Sequence, residues 1–123
     1  MMKKHFYYLN TCNTCKRILK ELELNEDFTL QNLKEQPLTS KEIETLKEAA
    51  GSYEALFNRR SVLYRERKLK DQHLQENDYK ELLEEHYSFV KRPILVVDTD
   101  FFIGNAKKTI VAAKELLLTE KNN

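Results

Sequence analysis

The chain has 123 residues, of which 41% are hydrophobic and 33% are charged, with only two glycines and two prolines. That length suits a single domain over residues 1–123, and the composition excludes a disordered chain. With 21 basic and 20 acidic side chains the net charge is +1, which argues against direct binding of nucleic acid or of an anionic membrane.

The two cysteines, Cys12 and Cys15, form a single Cys-x-x-Cys unit. A disulfide between two cysteines this close would close only a very short loop and would stabilise the fold little. The pair therefore favours thiol chemistry in a reducing compartment over structural cross-linking. No apolar run reaches the roughly 20 residues that span a bilayer. The first five residues also lack the apolar segment of a secretion signal. We therefore expect a cytoplasmic protein.

The first third of the chain predicts a β-α-β unit. Residues 5–9 are aromatic and apolar, which is typical of a buried strand. Apolar side chains recur at helical spacing over residues 13–24, with charged side chains on the other face. Residues 28–33 alternate apolar with polar, as a second strand does. A crossover helix between two strands makes them parallel.

A helical block is predicted between residues 38 and 90, after Pro37 breaks the chain. Residues 39–42 read Thr-Ser-Lys-Glu, a capping box that opens a helix through Ala50. Gly51 is expected to end that helix, since glycine tolerates the left-handed conformation of a helix C-terminus.

Two more helices are predicted inside the block. A short one covers residues 53–57. A longer one covers residues 79–86, with Asn77 or Asp78 as its cap. The block as a whole is expected to be an insertion between the second and third strands.

The last third predicts a hairpin and a closing helix. Residues 94–98 form an apolar run typical of a central strand, residues 99–100 a tight turn, and residues 101–103 the returning antiparallel strand. A final helix is expected over residues 106–118, with these side chains facing inward: Ile110, Val111, Ala113, Leu116 and Leu117. The order β-α-β, helices, β-β-α predicts an α/β chain with the thioredoxin-like fold.

The Cys-x-x-Cys unit follows a strand and opens a helix, and this position has chemical consequences. Free N–H groups and the positive end of the helix dipole stabilise a thiolate there, so the pKa of Cys12 should be low. Lys16 and Arg17 add positive charge nearby. Cys12 is expected to attack first, and Cys15, three residues on, to resolve the mixed disulfide. Thr14, within the motif, is a supporting residue.

Two alternatives stay open for the cysteine pair: half of a zinc site, or two inert thiols. A structural zinc ion needs four ligands. The only histidines that could complete such a set are His5, His73 and His86, and none of them is in a paired spacing. We therefore predict no metal.

Arg92 and Pro93 precede the third predicted strand. In thioredoxin-like folds this position commonly holds a cis proline that faces the redox site, and we expect one here; the alternative is a trans proline that only marks the start of a strand. The Arg92 guanidinium could bind an oxyanion near Cys12.

A basic run lies in the middle of the chain. It has a single acid, Glu66, among six basic residues: Arg59, Arg60, Arg65, Arg67, Lys68 and Lys70. Such runs usually form solvated surfaces. We expect one of the first two arginines to point to the active site.

Four segments together resemble the glutaredoxin-dependent arsenate reductase (ArsC) family and its Spx relatives. They are residues 8–15, residues 56–61, Arg92-Pro93-Ile94, and Gly104-Asn105 before the last helix. The likeness covers nearly the whole chain. It implies a thioredoxin-like fold and a thiol oxidoreductase activity.

The resemblance also implies roles for individual residues. The cysteine that attacks arsenate falls on Cys12, and one oxyanion-binding arginine falls on Arg92. Another falls on Arg60 if the Asn-x-Arg pattern is matched, or on Arg59 if one counts from Gly51. Asn105 stands where arsenate reductases carry a further arginine.

The Spx branch offers a second interpretation. In that branch a Cys-x-x-Cys motif serves as a disulfide switch, and Cys15 completes such a motif here. Gly51 resembles a glycine that Spx uses at its contact with the RNA polymerase alpha subunit. As a reductase, the chain would act on a small oxyanion or a disulfide. As a regulator it would bind the polymerase. A folded family member without activity is the third reading.

No nucleotide-binding glycine loop is present. The electrons of a reductase would therefore come from glutathione or from a glutaredoxin or thioredoxin partner, with no bound cofactor.

Overall fold

The structure is a computed structural model that describes residues 3–121. Its four strands lie in one sheet. In chain order the helices and strands are β1 (Lys4–Tyr8), α1 (Asn13–Leu22), β2 (Thr29–Asn32), α2 (Ser40–Ala50), α3 (Tyr53–Leu56), α4 (Val62–Glu66), α5 (Glu76–Glu85), β3 (Ile94–Val97), β4 (Asp100–Ile103) and α6 (Lys107–Lys121). Two 3₁₀ turns add Leu69–Asp71 and Tyr87–Phe89.

The sheet has the strand order β2-β1-β3-β4. Strand β1 pairs in parallel with β2 and antiparallel with β3, and β4 returns antiparallel to β3. Helix α1 makes the crossover that a parallel pair requires. This arrangement, with helices between the second and third strands, confirms the predicted thioredoxin-like fold.

The chain forms two compact units. The first holds the sheet with α1 and α6, from residues up to 34 and from 92 onward, and the second runs from residue 35 to residue 91. The prediction of one domain over the whole chain stays a prediction.

One face of the sheet builds the core of the first unit. Phe6 and Leu95 are register partners, and Ile18 and Leu22 of α1 pack against them with Ala113 of α6. Ile18 and Leu22 lie four residues apart and so share one face of the helix. Full burial of each large apolar side chain contributes about 1.5–3 kcal/mol. This packing fixes where α1 begins relative to the sheet.

The second unit has an aromatic centre. The Phe57 ring lies 5.0 Å from that of Tyr79 and 5.3 Å from that of Phe89, centroid to centroid. The predicted capping box of α2 is confirmed, because the Thr39 hydroxyl accepts the Glu42 N–H at 3.1 Å and the Glu42 carboxylate accepts the Thr39 N–H at 3.0 Å.

Gly51 ends α2 as predicted. It has φ of 102° and donates its N–H to the Lys47 carbonyl at 2.8 Å. That backbone conformation is strained for a residue with a side chain, so the glycine is needed here.

The predicted start of α5 is wrong. The helix begins at Glu76 and its cap is Gln75, because the Asp78 carboxylate accepts the Gln75 N–H at 2.8 Å. Asp78 is thus the third residue of the helix and acts as the reciprocal half of the cap. Helix α4 was not foreseen, since its short basic sequence has little apolar periodicity.

Two details near the C-terminus also differ from the prediction. Asp100 pairs with Val97 and belongs to β4, so the turn covers Asp98 and Thr99, and Asp98 has φ of 58°. Val111 is 44% exposed rather than inward. Ala113 and Leu117 define the buried face of α6. Val111 precedes Ala113 by two residues and, at about 100° per residue, lies on the opposite side of the helix.

None of the helices between residues 3 and 121 is both long and apolar enough to cross a membrane.

Candidate active site at the start of helix α1

Three chain segments meet at one end of the sheet in the first unit. Tyr7 near the end of β1, Ile94 at the start of β3 and Ile103 at the end of β4 are register neighbours. The chain therefore leaves β1 toward Cys12, enters β3 from Arg92, and leaves β4 at the same end of the sheet. The topology thus gathers the predicted first-unit site residues at one end.

Cys12 is the N-cap of α1 and is partly exposed. Its Sγ accepts the Cys15 N–H at 3.4 Å. Partial burial raises the pKa of Cys12, but the Cys15 N–H, the Cys15 thiol, the Arg92 charge and the Thr14 N–H together lower it below the ordinary value of 9.0. The sulfur thus sits where helix N–H groups and a guanidinium favour its anion.

Cys15 is fully buried on the inner face of α1. Burial, above all, together with a hydrogen bond to the neighbouring Cys12 sulfur and the charge of that sulfur, raises the pKa of the Cys15 thiol to about 12. The Leu9 N–H and Arg92 act in the opposite direction. The two thiols therefore have opposite character: the environment of the accessible Cys12 favours its thiolate, whereas that of the buried Cys15 favours the protonated thiol.

The Arg92–Pro93 bond is cis, as predicted. The Pro93 carbonyl accepts the Gly104 N–H at 2.9 Å, which ties the start of β3 to the segment after β4. Arg92 favours the anionic form of both cysteines. It supplies the positive charge that the prediction placed near Cys12.

Comparisons with known proteins identify the family of the chain. The ArsC family model matches residues 7–113. The chain belongs to the ArsC family. No protein with a curated description matches it. Membership of this family supports a thiol oxidoreductase of the arsenate reductase family.

Several solved structures resemble this ArsC-family chain. An ArsC family related protein from Bacteroides fragilis is 26% identical, with a TM-score of 0.77 over 91% of this chain and 98% of that one. An arsenate reductase from Vibrio cholerae is 22% identical, with a TM-score of 0.70 over 93% and 97%. An ArsC related protein from Brucella melitensis is 22% identical, with a TM-score of 0.66 over 90% and 93%. The last two support the fold alone.

Arg59 and Arg60 belong to the second unit. Arg59 is ion-paired with Glu54 and donates to the Tyr79 hydroxyl at 3.1 Å, and its guanidinium carbon lies 5.8 Å from the centre of that ring. The Glu54 carboxylate, above all, raises the pKa of Arg59. Arg60 is exposed, and its N–H is held by the Asn58 side chain at 3.1 Å. A role for either arginine in binding substrate stays a prediction.

Asn105 is exposed and follows Gly104, which has φ of 92°. It lies at the same end of the sheet as Cys12, two residues before α6 begins. Its part in binding substrate stays a prediction. Among residues 3–121, no group of three histidine, cysteine or acidic side chains is placed to hold a metal ion.

Leu9 is the site residue that the sequence did not reveal. Its carbonyl accepts the Cys12 N–H at 3.1 Å, and its N–H stabilises a Cys15 thiolate. The Asn32 side chain accepts the Asn10 N–H at 3.3 Å and helps hold this loop. Leu9 contacts the cysteines through its backbone, so its role could not be predicted from the type of its side chain.

Proposed function

We propose that this ArsC-family protein is a thiol–disulfide oxidoreductase in which Cys12 attacks and Cys15 resolves. The observation that carries the proposal is the opposite character of the two sulfurs. Cys12 is partly exposed and its pKa is lowered, whereas Cys15 is fully buried and has a pKa of about 12. Near neutral pH only Cys12 is poised as a nucleophile, because the thiolate is the reactive form.

In the first step the Cys12 thiolate attacks one sulfur of a substrate disulfide. A bond forms between Cys12 and that sulfur, and the other substrate sulfur leaves as a thiolate. Arg92 and the helix N–H groups stabilise the Cys12 anion before the attack.

The second step depends on a change at Cys15. In the mixed disulfide Cys12 carries no negative charge, so its electrostatic contribution to the high pKa of Cys15 disappears. The Leu9 N–H and Arg92 continue to favour the Cys15 anion. Cys15 then loses its proton and attacks the Cys12 sulfur. This forms the Cys12–Cys15 disulfide and releases the second substrate thiolate, and the substrate has gained two electrons.

An external thiol must return those electrons. We propose glutathione, or a glutaredoxin or thioredoxin partner, as the donor, with no cofactor bound to the protein. The exposure of Cys12 supports this, since a thiol from solution can attack its sulfur in the oxidised pair. The cytoplasm, a reducing compartment, is the proposed location.

Arsenate is the second candidate substrate, favoured by the Arg92 charge beside Cys12. The Cys12 thiolate would displace water from arsenate and form an arsenic–sulfur bond. A second thiol would then attack the Cys12 sulfur and form a disulfide with it. The arsenic–sulfur bond breaks, and arsenite leaves with its arsenic reduced by two electrons. Asn105 carries no charge where arsenate reductases have an arginine. The loss of one charge-assisted donor to an oxyanion costs about 1.5–3 kcal/mol, so we expect turnover of a disulfide to exceed that of arsenate.

Three proteins test the proposal: wild type, Cys12→Ser and Cys15→Ser. Each is mixed with a glutathionylated peptide, and the adducts are identified by mass spectrometry. Wild type should reduce the peptide and accumulate its own disulfide. Cys15→Ser should stop at a stable mixed disulfide on Cys12, and Cys12→Ser should do neither. A mixed disulfide on Cys15 in the Cys12→Ser protein, formed as fast as in wild type, would refute the assignment of roles.

The arsenate step is tested in the same proteins by arsenate-dependent oxidation of glutathione. Equal background rates in wild type and Cys12→Ser would exclude arsenate as a substrate. The Spx-like regulator stays an alternative prediction, and a pull-down with the RNA polymerase alpha subunit tests it under oxidising and reducing conditions. Absence of binding in both conditions would exclude it.

A further inference from the structure

The charged side chains of the first unit are unevenly distributed along the sheet. Residues 8–20, 92–97 and 101–114 form or adjoin the end of the sheet where Cys12 lies, and none of these stretches contains an aspartate or a glutamate. The described acidic residues of this unit follow the last turn of α1, or lie in the β3–β4 hairpin or the second half of α6: Glu21, Glu23, Glu26, Asp27, Asp98, Asp100, Glu115 and Glu120. Within this unit, the charges around Cys12 are therefore positive.

Two lysines at the start of α6 lie beside the first turn of α1. The Lys114 ammonium is 3.4 Å from the Glu21 carboxylate, so α1 and α6 run side by side at these residues. Both helices begin at the same end of the sheet. At about 1.5 Å per residue, six or seven residues back from the ion pair along each helix bring Lys107 and Lys108 level with the first turn of α1. Both lysines are exposed.

Lys16 adds a third positive charge, on α1 itself. Its backbone N–H donates to the Cys12 carbonyl at 3.1 Å, and its side chain is exposed. Arg17 is ion-paired with Glu21. Within residues 3–121, however, none of the three lysines is ion-paired with a carboxylate. Their charges are available to a molecule that approaches Cys12.

We propose that Cys12 reacts preferentially with disulfides in acidic segments of peptides or proteins, whose aspartates or glutamates pair with Lys16, Lys107 and Lys108. This inference rests on the proposed function, because it names the class of substrate for the same reaction. The exchange step is the same: Cys12 bonds to one substrate sulfur, and the other leaves as a thiolate. A peptide is favoured over a nucleic acid as the anionic partner because it carries the sulfur that Cys12 attacks.

The test uses three glutathionylated peptides that differ only beside their cysteine, where they carry acidic, neutral or basic residues. The second-order rate constant of reduction is measured for each. At low salt wild type should reduce the acidic peptide at least about tenfold faster than the basic one, since attraction between opposite charges raises association rates by about 10–10³-fold. The difference should nearly vanish at 1 M salt, where screening acts within about 3 Å.

Substitution of the lysines tests their part in this preference. The double variant Lys107→Gln/Lys108→Gln should lower the ratio of the acidic to the basic rate constant several-fold at low salt. A change in the reactivity of Cys12 cancels in this ratio, because both peptides react with the same thiol. The matched control is Lys20→Gln, which is exposed in the last turn of α1 and about 12 Å along the helix from Cys12. The control should leave the ratio unchanged, and circular dichroism checks that each variant is folded.

The possible outcomes separate this inference from the proposed function. Equal rate constants for the three peptides at low salt, or a ratio that the double variant does not lower, would overturn the inference alone. Failure of wild type to reduce any of the peptides would overturn the proposed function and the inference with it. A DNA oligonucleotide that inhibits the reaction more strongly than polyglutamate of the same charge would assign the lysines to a nucleic-acid site and also overturn the inference.

Discussion

Cys12 has two separate roles in the structure, as the cap of α1 and as the thiolate, and serine and alanine substitutions distinguish them. Cys12→Ser and Cys12→Ala both remove the thiol and should both abolish thiol exchange. Serine, however, keeps an acceptor for the Cys15 N–H, which Cys12 Sγ now accepts at 3.4 Å. Alanine leaves that N–H without a side-chain partner.

The difference in stability follows from the value of an N-cap. Replacing a serine cap by alanine typically costs about 1 kcal/mol. In a chain of 123 residues this shifts the melting temperature by roughly 4 °C. We therefore expect Cys12→Ser to unfold at a higher urea concentration than Cys12→Ala, as followed by circular dichroism under reducing conditions. Equal midpoints for the two variants would show that Cys12 is not the cap.

The thiolate role appears in the pH dependence of stability. The pKa of Cys12 is lowered on folding, so its ionisation stabilises the native state above the unfolded value near 9.0. That contribution is lost as pH falls through the folded pKa. Compared with Cys12→Ser, wild type should therefore gain stability as pH rises toward 9. A difference that is flat or falls with pH over this range would contradict the lowered pKa.

The comparison requires a background without Cys15. Burial raises the pKa of Cys15 to about 12. As pH rises above 9.0, Cys15 ionises in the unfolded chain but not in the native state, which lowers the free energy of unfolding. This effect is opposite in sign to that of Cys12. Introducing Cys15→Ala into both proteins removes this effect and leaves the Cys15 backbone N–H in place.

Two further predictions concern the arginines. Arg92→Met should raise the pKa of Cys12, which is measured as a higher midpoint in the pH profile of Cys12 alkylation. Arg92→Lys keeps the positive charge and should largely preserve that midpoint. An unchanged midpoint in Arg92→Met would show that Arg92 does not act on Cys12. Arg59→Met breaks an exposed ion pair and should lower the free energy of unfolding in urea by up to about 1 kcal/mol. Arg60→Met should leave the free energy of unfolding unchanged. If Arg60 binds the substrate, Arg60→Met raises KM without this loss of stability, and the reverse pattern would assign the role to Arg59.

The sequence by itself determined the start of α1 and the different environments of its two cysteines. Cys12 follows a buried strand and stands one residue before the helix, and that local order makes it the cap. Cys15, Ile18 and Leu22 recur at helical spacing, so the burial of Cys15 could be predicted from periodicity. These features depend on residues close together in the chain, where pattern and backbone geometry are directly linked.

Only the tertiary structure decided which distant groups act on the thiols. Arg92 is 80 positions beyond Cys12 along the chain, and the antiparallel register of β1 and β3 brings it to the same end of the sheet. Arg59, which the sequence also offered as an oxyanion-binding candidate, is ion-paired with Glu54, and its role in binding substrate stays a prediction. Leu9 contributes through its backbone. Charge patterns show which side chains can interact, and packing between distant segments decides which of them do.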